Sequence, residues 1–299
     1  MRLNDLTTIV FSGGGVRGFS YVGACLAFFD TFKCTVGSHF QTFAGTSVGS
    51  LFALITCLDL DLQECIKTFQ AVGLESIFGR DPTCLLNLYA LNTGSSLETL
   101  VKNLLALADL GPQSTLKDLY LKTGKRLVVS VIDLLTASIV YLDHSVTIGS
   151  DMPIVKAIMG SMALPPLFPP VLYGKGAQKI LMSDGGLLEN CPFQLFGPSE
   201  TLIVSSTWYI DKSPIKDIAS YYTRILGIVL LGSHEPQQEA SKAYKNIILI
   251  DLGSMNVDDT SININEIIFV GYRAAIARLT TNETNLLDNN FDPTKFIKQ

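Results

Sequence analysis

Short apolar runs alternate with amphipathic stretches along this chain, and the alternation predicts strands and helices in turn. Thr7 to Ser12 reads as a first strand, and Arg17 to Phe32 as a helix with Tyr21, Ala24, Cys25, Phe28 and Phe32 on one face. Phe40, Phe43 and Ala44 mark a second short buried strand, after which Val48, Leu51, Phe52, Leu54 and Ile55 carry helical spacing. From Asp61 to Leu121 the pattern is mainly helical, with an N-terminal box at Ser95-x-x-Glu98 and a breaker at Gly111-Pro112. Lys125 to Asp143 reads as two strands joined near Leu134-Thr136, and Met152 to Met159 as a helix entering the loop Pro165 to Pro170. A strand pair flanks Gly174-Lys175-Gly176, and its second member, Ile180 to Ser183, delivers Asp184-Gly185-Gly186. Strands at Thr201 to Ser205 and Ile247 to Asp251, with helices near Ile215 to Leu231 and Glu266 to Leu279, complete the pattern. This order predicts an α/β fold of three layers, a mainly parallel central sheet with helices on both faces. One domain is expected over residues 6–280, followed by a polar, loosely held tail over 281–299.

Composition bends this picture toward lipid. With 47% apolar residues, 16% charged residues and a mean hydropathy of +0.34, the chain is more hydrophobic than a typical soluble domain, which favours a lipid-facing surface. No segment reads as bilayer-spanning. Leu127 to Leu142 is too short and contains Asp133, and Ile225 to Leu231 is shorter still and reads as the end of a core helix. The start, Met1-Arg2-Leu3-Asn4-Asp5, enters a strand within a few residues and lacks a leader-like apolar core, so a cytoplasmic protein, peripheral to membranes, is expected. Cys25, Cys34, Cys57, Cys65, Cys84 and Cys191 form no C-x-x-C pair and read as reduced core residues. A net charge of -5 and a pI near 5.2, without a basic stretch, exclude nucleic acid as a partner.

Two glycine-flanked turns carry the candidate chemistry. Gly13-Gly14-Gly15-Val16-Arg17-Gly18 follows the first strand and satisfies G-x-G-x-x-G at Gly13, Gly15 and Gly18. A dinucleotide site needs an acid about twenty residues on, at the end of the second strand. The second strand ends instead in Gly45-Thr46-Ser47, and Asp30 and Asp59 fall within or beyond helices. The same loop can serve as an anion nest of backbone N–H groups at a helix N-terminus, placed beside Ser47 if the first two strands are parallel neighbours. Arg17 either adds charge to that nest or pairs with a carboxylate and fixes the loop; both readings stay open.

Ser47 lies in Gly45-Thr46-Ser47-Val48-Gly49, at a strand-to-helix turn that exposes its Oγ. A serine hydroxyl needs a base. His39 falls at the opposite end of the sheet, His144 ends a strand without a catalytic signature, and His234 follows a helix where it caps carbonyls. Asp184, at a strand end among Ile180, Leu181, Leu187 and Leu188, can act as base if burial raises its pKa, or simply form an Asp-Gly turn.

These motifs, Gly13 to Gly18, Gly45 to Gly49 and Asp184 to Gly186, together resemble the patatin-like phospholipase family. Ser161-Met162-Ala163-Leu164-Pro165, Phe168-Pro169-Pro170 and Asn190-Cys191-Pro192 extend the similarity, which covers Leu6 to Ser205. The resemblance implies a lipid acyl hydrolase with a Ser47-Asp184 dyad, Gly14 and Gly15 N–H groups holding the oxyanion, and neither metal nor cofactor. Its implied partner is a phospholipid or other acyl lipid at a membrane surface. Apolar side chains at Phe78, Leu85, Leu86, Leu88 and Tyr89 form a lipid-facing cap or part of the core. Calcium is expected to be dispensable, with Asp258-Asp259 read as a helix cap or turn. Two alternatives are an α/β-hydrolase esterase using Ser47, Asp184 and His234, and a non-catalytic lipid-binding module.

Overall fold

The computed structural model of the chain describes residues 3–176, 179–207, 214–216, 218–253 and 263–280. Among these, eight strands join in one sheet: β1 (Thr8–Phe11), β2 (Thr42–Thr46), β3 (Arg126–Asp133), β4 (Ser138–Leu142), β5 (Val171–Tyr173), β6 (Ile180–Asp184), β7 (Thr201–Ser206) and β8 (Ile247–Ile250). The pairings run β5 to β6, β6 to β3, β3 to β2, β2 to β1, β1 to β7 and β7 to β8, with β4 also paired to β3. β3, β2, β1, β7 and β8 run parallel, while β4, β5 and β6 enter through antiparallel pairings. Every residue of β1 and β7 is buried, as expected where both faces of a parallel sheet are covered. Side chains alternate between two cores: Ile9, Phe11, Phe43, Leu127 and Val129 face the larger, and Val10, Ala44, Val128 and Ile203 the smaller, which Cys191 and Phe193 close.

The helices are α1 (Phe19–Phe32), α2 (Val36–His39), α3 (Val48–Cys57), α4 (Leu62–Val72), α5 (Leu74–Phe78), α6 (Leu85–Leu88), α7 (Ser95–Leu107), α8 (Leu116–Thr123), α9 (Thr147–Ser150), α10 (Ile154–Ser161), α11 (Ile218–Ser241) and α12 (Ile264–Leu279). The α/β fold is the one the alternation predicts, a central sheet flanked by helices. No helix among the described residues is long and apolar enough to cross a membrane. α1 and α12 touch backbone to backbone, because a Cβ at Gly23 would run into the Ile268 carbonyl and one at Gly271 into the Ser20 carbonyl.

Two local readings are corrected. Ser95 is the first residue of α7, whose N-cap is Gly94 at φ 77°, and Glu98 pairs with Lys102 at 2.8 Å. The glycine's left-handed conformation takes the cap position, so the hydroxyl of Ser95 cannot. The reciprocal box lies at α8, where Asp118 N–H donates to Thr115 Oγ1 at 3.1 Å and Thr115 N–H donates to Asp118 Oδ2 at 2.8 Å. α11 continues past Leu231, and Ile225, Ile228 and Val229 are exposed rather than core. Among its described side chains, Leu230 is buried.

β3 brings the two candidate residues together. Between Val129 and Asp133 one of its edges is taken by β4. The opposite edge pairs with β2 as far as Thr46 opposite Ser130, then with β6 from Asp184 opposite Val131. A strand has only two edges, so β2 and β6 meet end to end on the same one. Their terminal residues, Thr46 and Asp184, face consecutive positions of β3.

Candidate active site

Ser47 sits between β2 and α3 at φ 54°, ψ -131°, a backbone conformation that glycine favours and a side chain resists. Such a residue cannot cap α3 in the usual way, and its hydroxyl makes no capping bond to the helix. The turn is pinned from behind. Ser47 N–H donates to Ser161 Oγ at 2.9 Å, Ser161 Oγ donates to the Ser130 carbonyl at 2.7 Å, and Ser50 Oγ donates to the Ser47 carbonyl at 2.6 Å. Gly45 and Gly49 are required by close approach: a Cβ on Gly45 would strike the Gly49 carbonyl, and one on Gly49 the carbonyls of Phe11 and Ser12. Thr46 and Val48 are buried, and Thr46 Oγ1 donates to the Glu189 carbonyl at 3.2 Å.

Asp184 ends β6 and is 1% exposed. Its Oδ1 accepts from Gly186 N–H at 2.8 Å, while Oδ2 is buried and has no hydrogen-bond partner of ordinary geometry. Burial raises the pKa to about 7; the Ser47 hydroxyl and the Gly186 N–H each pull it down, without offsetting the loss of water. Ser47 and Asp184 line the same cleft. Gly185 packs on Ser130, where a Cβ would come within 2.7 Å of its Oγ.

The glycine loop is divided in its tasks. Gly13 N–H donates to the Asn190 carbonyl at 2.9 Å, and Asn190 Nδ2 returns a bond to the Gly13 carbonyl at 3.3 Å. Gly14 and Gly15 line the cleft beside Ser47, and no described hydrogen bond engages their N–H groups. Gly18 instead packs under Val48 and Phe52. Arg17 is buried and its Nη1 donates to the Thr207 carbonyl at 2.9 Å, at the end of β7. Desolvation lowers its pKa to about 10, so it stays charged at neutral pH, but it is not among the residues lining the cleft. Tyr21 Oη donates to the Ser12 carbonyl at 2.8 Å and braces the loop's start.

These groups open on one cleft. Gly14, Gly15, Ser47, Asp184, Gly186 and Asn190 form its polar floor, and Phe78, Met162, Leu164, Leu167, Phe168 and Leu230 its apolar walls. Ser161, Asn190 and Leu230 contribute here although the reading of Ser47 and Asp184 gave them no role. Ser161 and Asn190 stand in motifs quoted above, so a signal existed; Leu230 and its neighbour Ser233, which donates to the Gly186 carbonyl at 2.7 Å, carried none. His39 Nε2 lies 3.0 Å from the Leu6 carbonyl, and His144 stacks on Tyr120 at 3.7 Å between ring centroids; neither lines the cleft. The side chain of His234, the pair Asp258-Asp259 and the tail 281–299 lie outside the described residues. Phe78 is buried at the cleft, whereas Leu85, Leu86, Leu88 and Tyr89 are exposed. None of the six cysteines forms a disulfide.

A serine on a strained strand-to-helix turn, a buried carboxyl and a glycine loop on one α/β sheet define a class of acyl hydrolase. The model of the patatin-like phospholipase family matches residues 9–196, well over half of the chain, which belongs to that family and is a hydrolase of lipid esters. The chain is 24% identical over 270 residues to the uncharacterized protein YqhO of Bacillus subtilis, covering 84% of this chain and 89% of YqhO. The structure of VipD from Legionella pneumophila shares the fold at a TM-score of 0.55 and 17% identity, covering 92% of this chain and 67% of VipD.

Proposed function

We propose that the chain cleaves a fatty-acyl ester of a phospholipid or related acyl lipid with a Ser47-Asp184 dyad. The observation carrying this reading is the placement of Ser47 and Asp184 on abutting strand ends in one cleft with the N–H groups of Gly14 and Gly15. Ser47 Oγ attacks the ester carbonyl carbon as its proton passes to Asp184 Oδ2. The resulting oxyanion accepts from Gly14 and Gly15 N–H groups, an arrangement whose single donors are each worth about 3 to 4 kcal/mol of barrier elsewhere. The bond to the alcohol oxygen breaks, Asp184 returns the proton to that oxygen, and an acyl-Ser47 ester remains. Water then attacks the acyl carbon and gives its proton to Asp184, which passes it to Ser47 Oγ as the fatty acid leaves. Arg17 serves as a loop brace in this scheme.

A fluorophosphonate probe is expected to label wild type at Ser47, to leave Ser47→Ala unlabelled and to label His234→Ala normally. Loss of labelling in folded His234→Ala would replace the dyad with a triad. No Ser47 adduct in folded wild type offered a lipid interface would point to a lipid-binding module instead.

Leu86 is 88% and Tyr89 76% exposed, on and just after α6, in the segment that follows the cleft residue Phe78. We assign this surface to the lipid interface. Leu86→Asp with Tyr89→Asp is expected to reduce sedimentation with phosphatidylcholine vesicles severalfold; unchanged sedimentation would remove the assignment.

A further inference from the structure

A second cavity, of about 450 Å³, lies at the far end of α3 from Ser47 and shares no lining residue with the cleft. Three chain reversals build it. α1 ends at Lys33, Thr35 caps the short helix α2, and α3 closes at Leu58 before Asp61 caps α4. Thr56, near the end of α3, lines the cavity roughly 13 to 14 Å along the axis from Ser47, at 1.5 Å of rise per residue. The apolar lining is Cys25, Leu26, Phe29, Val36, Leu60 and Leu62. Cys25 and Val36 are buried, the three leucines half-buried and Phe29 46% exposed, so hydrocarbon surface is open to a molecule entering from solvent.

The polar side chains of this cavity offer acceptors far more than donors. Asp59 and Asp61 line it, and among the described residues no lysine, arginine or histidine does. Thr35 Oγ1 donates to Ser38 Oγ at 2.9 Å and Thr56 Oγ1 to the Phe52 carbonyl at 2.7 Å, so neither hydroxyl proton is left for a ligand. Asp61 Oδ1 accepts from the Gln63 and Glu64 N–H groups at 2.9 Å each, which leaves Oδ2. Phe29 and Thr56 belong to the last turns of α1 and α3, whose C-terminal ends add negative potential. Lys125, a cation at this end of α3, is turned to the Cys57 carbonyl at 3.2 Å. The volume falls within the range for bound small molecules, roughly 300 to 1,000 Å³. An anion would be repelled here, and an uncharged hydrocarbon would leave both carboxylates unused. We infer that this cavity binds an apolar organic cation, an amine whose ammonium group meets Asp59 and Asp61 while its hydrocarbon body covers Leu26, Leu60 and Leu62.

4-Phenylbutylamine and 4-phenylbutyrate carry similar hydrocarbon bodies and opposite charges, and titration calorimetry of the intact chain with each tests the site. The amine is expected to bind about tenfold or more tighter than the acid at low ionic strength, and to weaken as sodium chloride is added. Asp59→Asn combined with Asp61→Asn is expected to weaken the amine by about tenfold. Asparagine tolerates the φ of 51° at position 59 and caps α4 at position 61, so this pair keeps the fold. Leu62→Trp, at a half-buried wall position, is expected to abolish binding by filling the space. Equal binding of amine and acid, no amine binding at millimolar concentration, or an affinity unchanged in the asparagine pair would each overturn the inference. An affinity unchanged in folded Leu62→Trp would place the amine elsewhere and overturn it too; if tryptophan unfolds the chain, the asparagine pair decides alone. Every readout is one of binding, so a chain without esterase activity would remove the hydrolase reading and leave this site standing.

Discussion

Ser47→Ala is expected to lower kcat/KM for acyl-ester hydrolysis by about 10⁴-fold or more, on the scale seen when a nucleophilic serine is removed elsewhere. Stability should barely change, since alanine inherits the same φ of 54°. Ser47→Gly separates the two costs. Glycine adopts that backbone conformation without steric penalty, so this variant should be equally inactive and more stable by about 1 to 2 kcal/mol. Initial rates on a chromogenic ester and urea midpoints measure both. A Ser47→Ala protein within tenfold of wild-type activity would end the nucleophile assignment; a destabilised Ser47→Gly would show that the turn stores no strain.

Asp184→Asn should cost about a thousandfold in activity while raising stability at neutral and alkaline pH. The folded pKa, about 7, lies above the ordinary carboxylate value of 3.8. Between those values the folded protein keeps a proton that the unfolded chain has released, so stability falls as pH rises through this window. The penalty is complete above pH 7. Asparagine keeps the acceptor for Gly186 N–H and carries no charge, so it removes the penalty, a gain of at most about 4 kcal/mol. Thermal unfolding of both proteins at pH 8 and pH 4 should show the variant ahead at the first and level at the second. The same titration makes wild-type kcat/KM rise about tenfold per pH unit below 7 and flatten above it, because only the ionised carboxyl can accept the serine's proton. A wild-type profile flat from pH 5 to 8 would exclude Asp184 as the base.

The strands and most helices were legible because their apolar periods are strong and glycines punctuate them. Ser47 and Asp184 were legible for a related reason: a serine between glycines after a buried run, and an acid before two glycines, each need a sharp turn at a strand end. Their meeting was implied by the family resemblance but not by the local pattern. It depends on β6 entering the sheet antiparallel beyond the end of β2, a register set by Thr46 opposite Ser130 and Val131 opposite Asp184, pairs far apart in the chain. The support from Ser161 was missed because a hydroxyl inside an apolar helix gives no local sign of which distant N–H it will accept from. α11 was misread as core because its apolar run lacks a polar face, and only docking decides which of those side chains is covered.

Thr46 and Asp184 hang from adjacent residues of β3, so one backbone repeat, about 3.3 Å, fixes how far apart their strands end. No side chain has to be chosen to maintain that interval. Helices α4 to α8 are inserted between α3 and β3 and take no part in it. The stretch from Leu62 to Thr123 lies outside that register, so the interval between the two strand ends is left to the sheet alone.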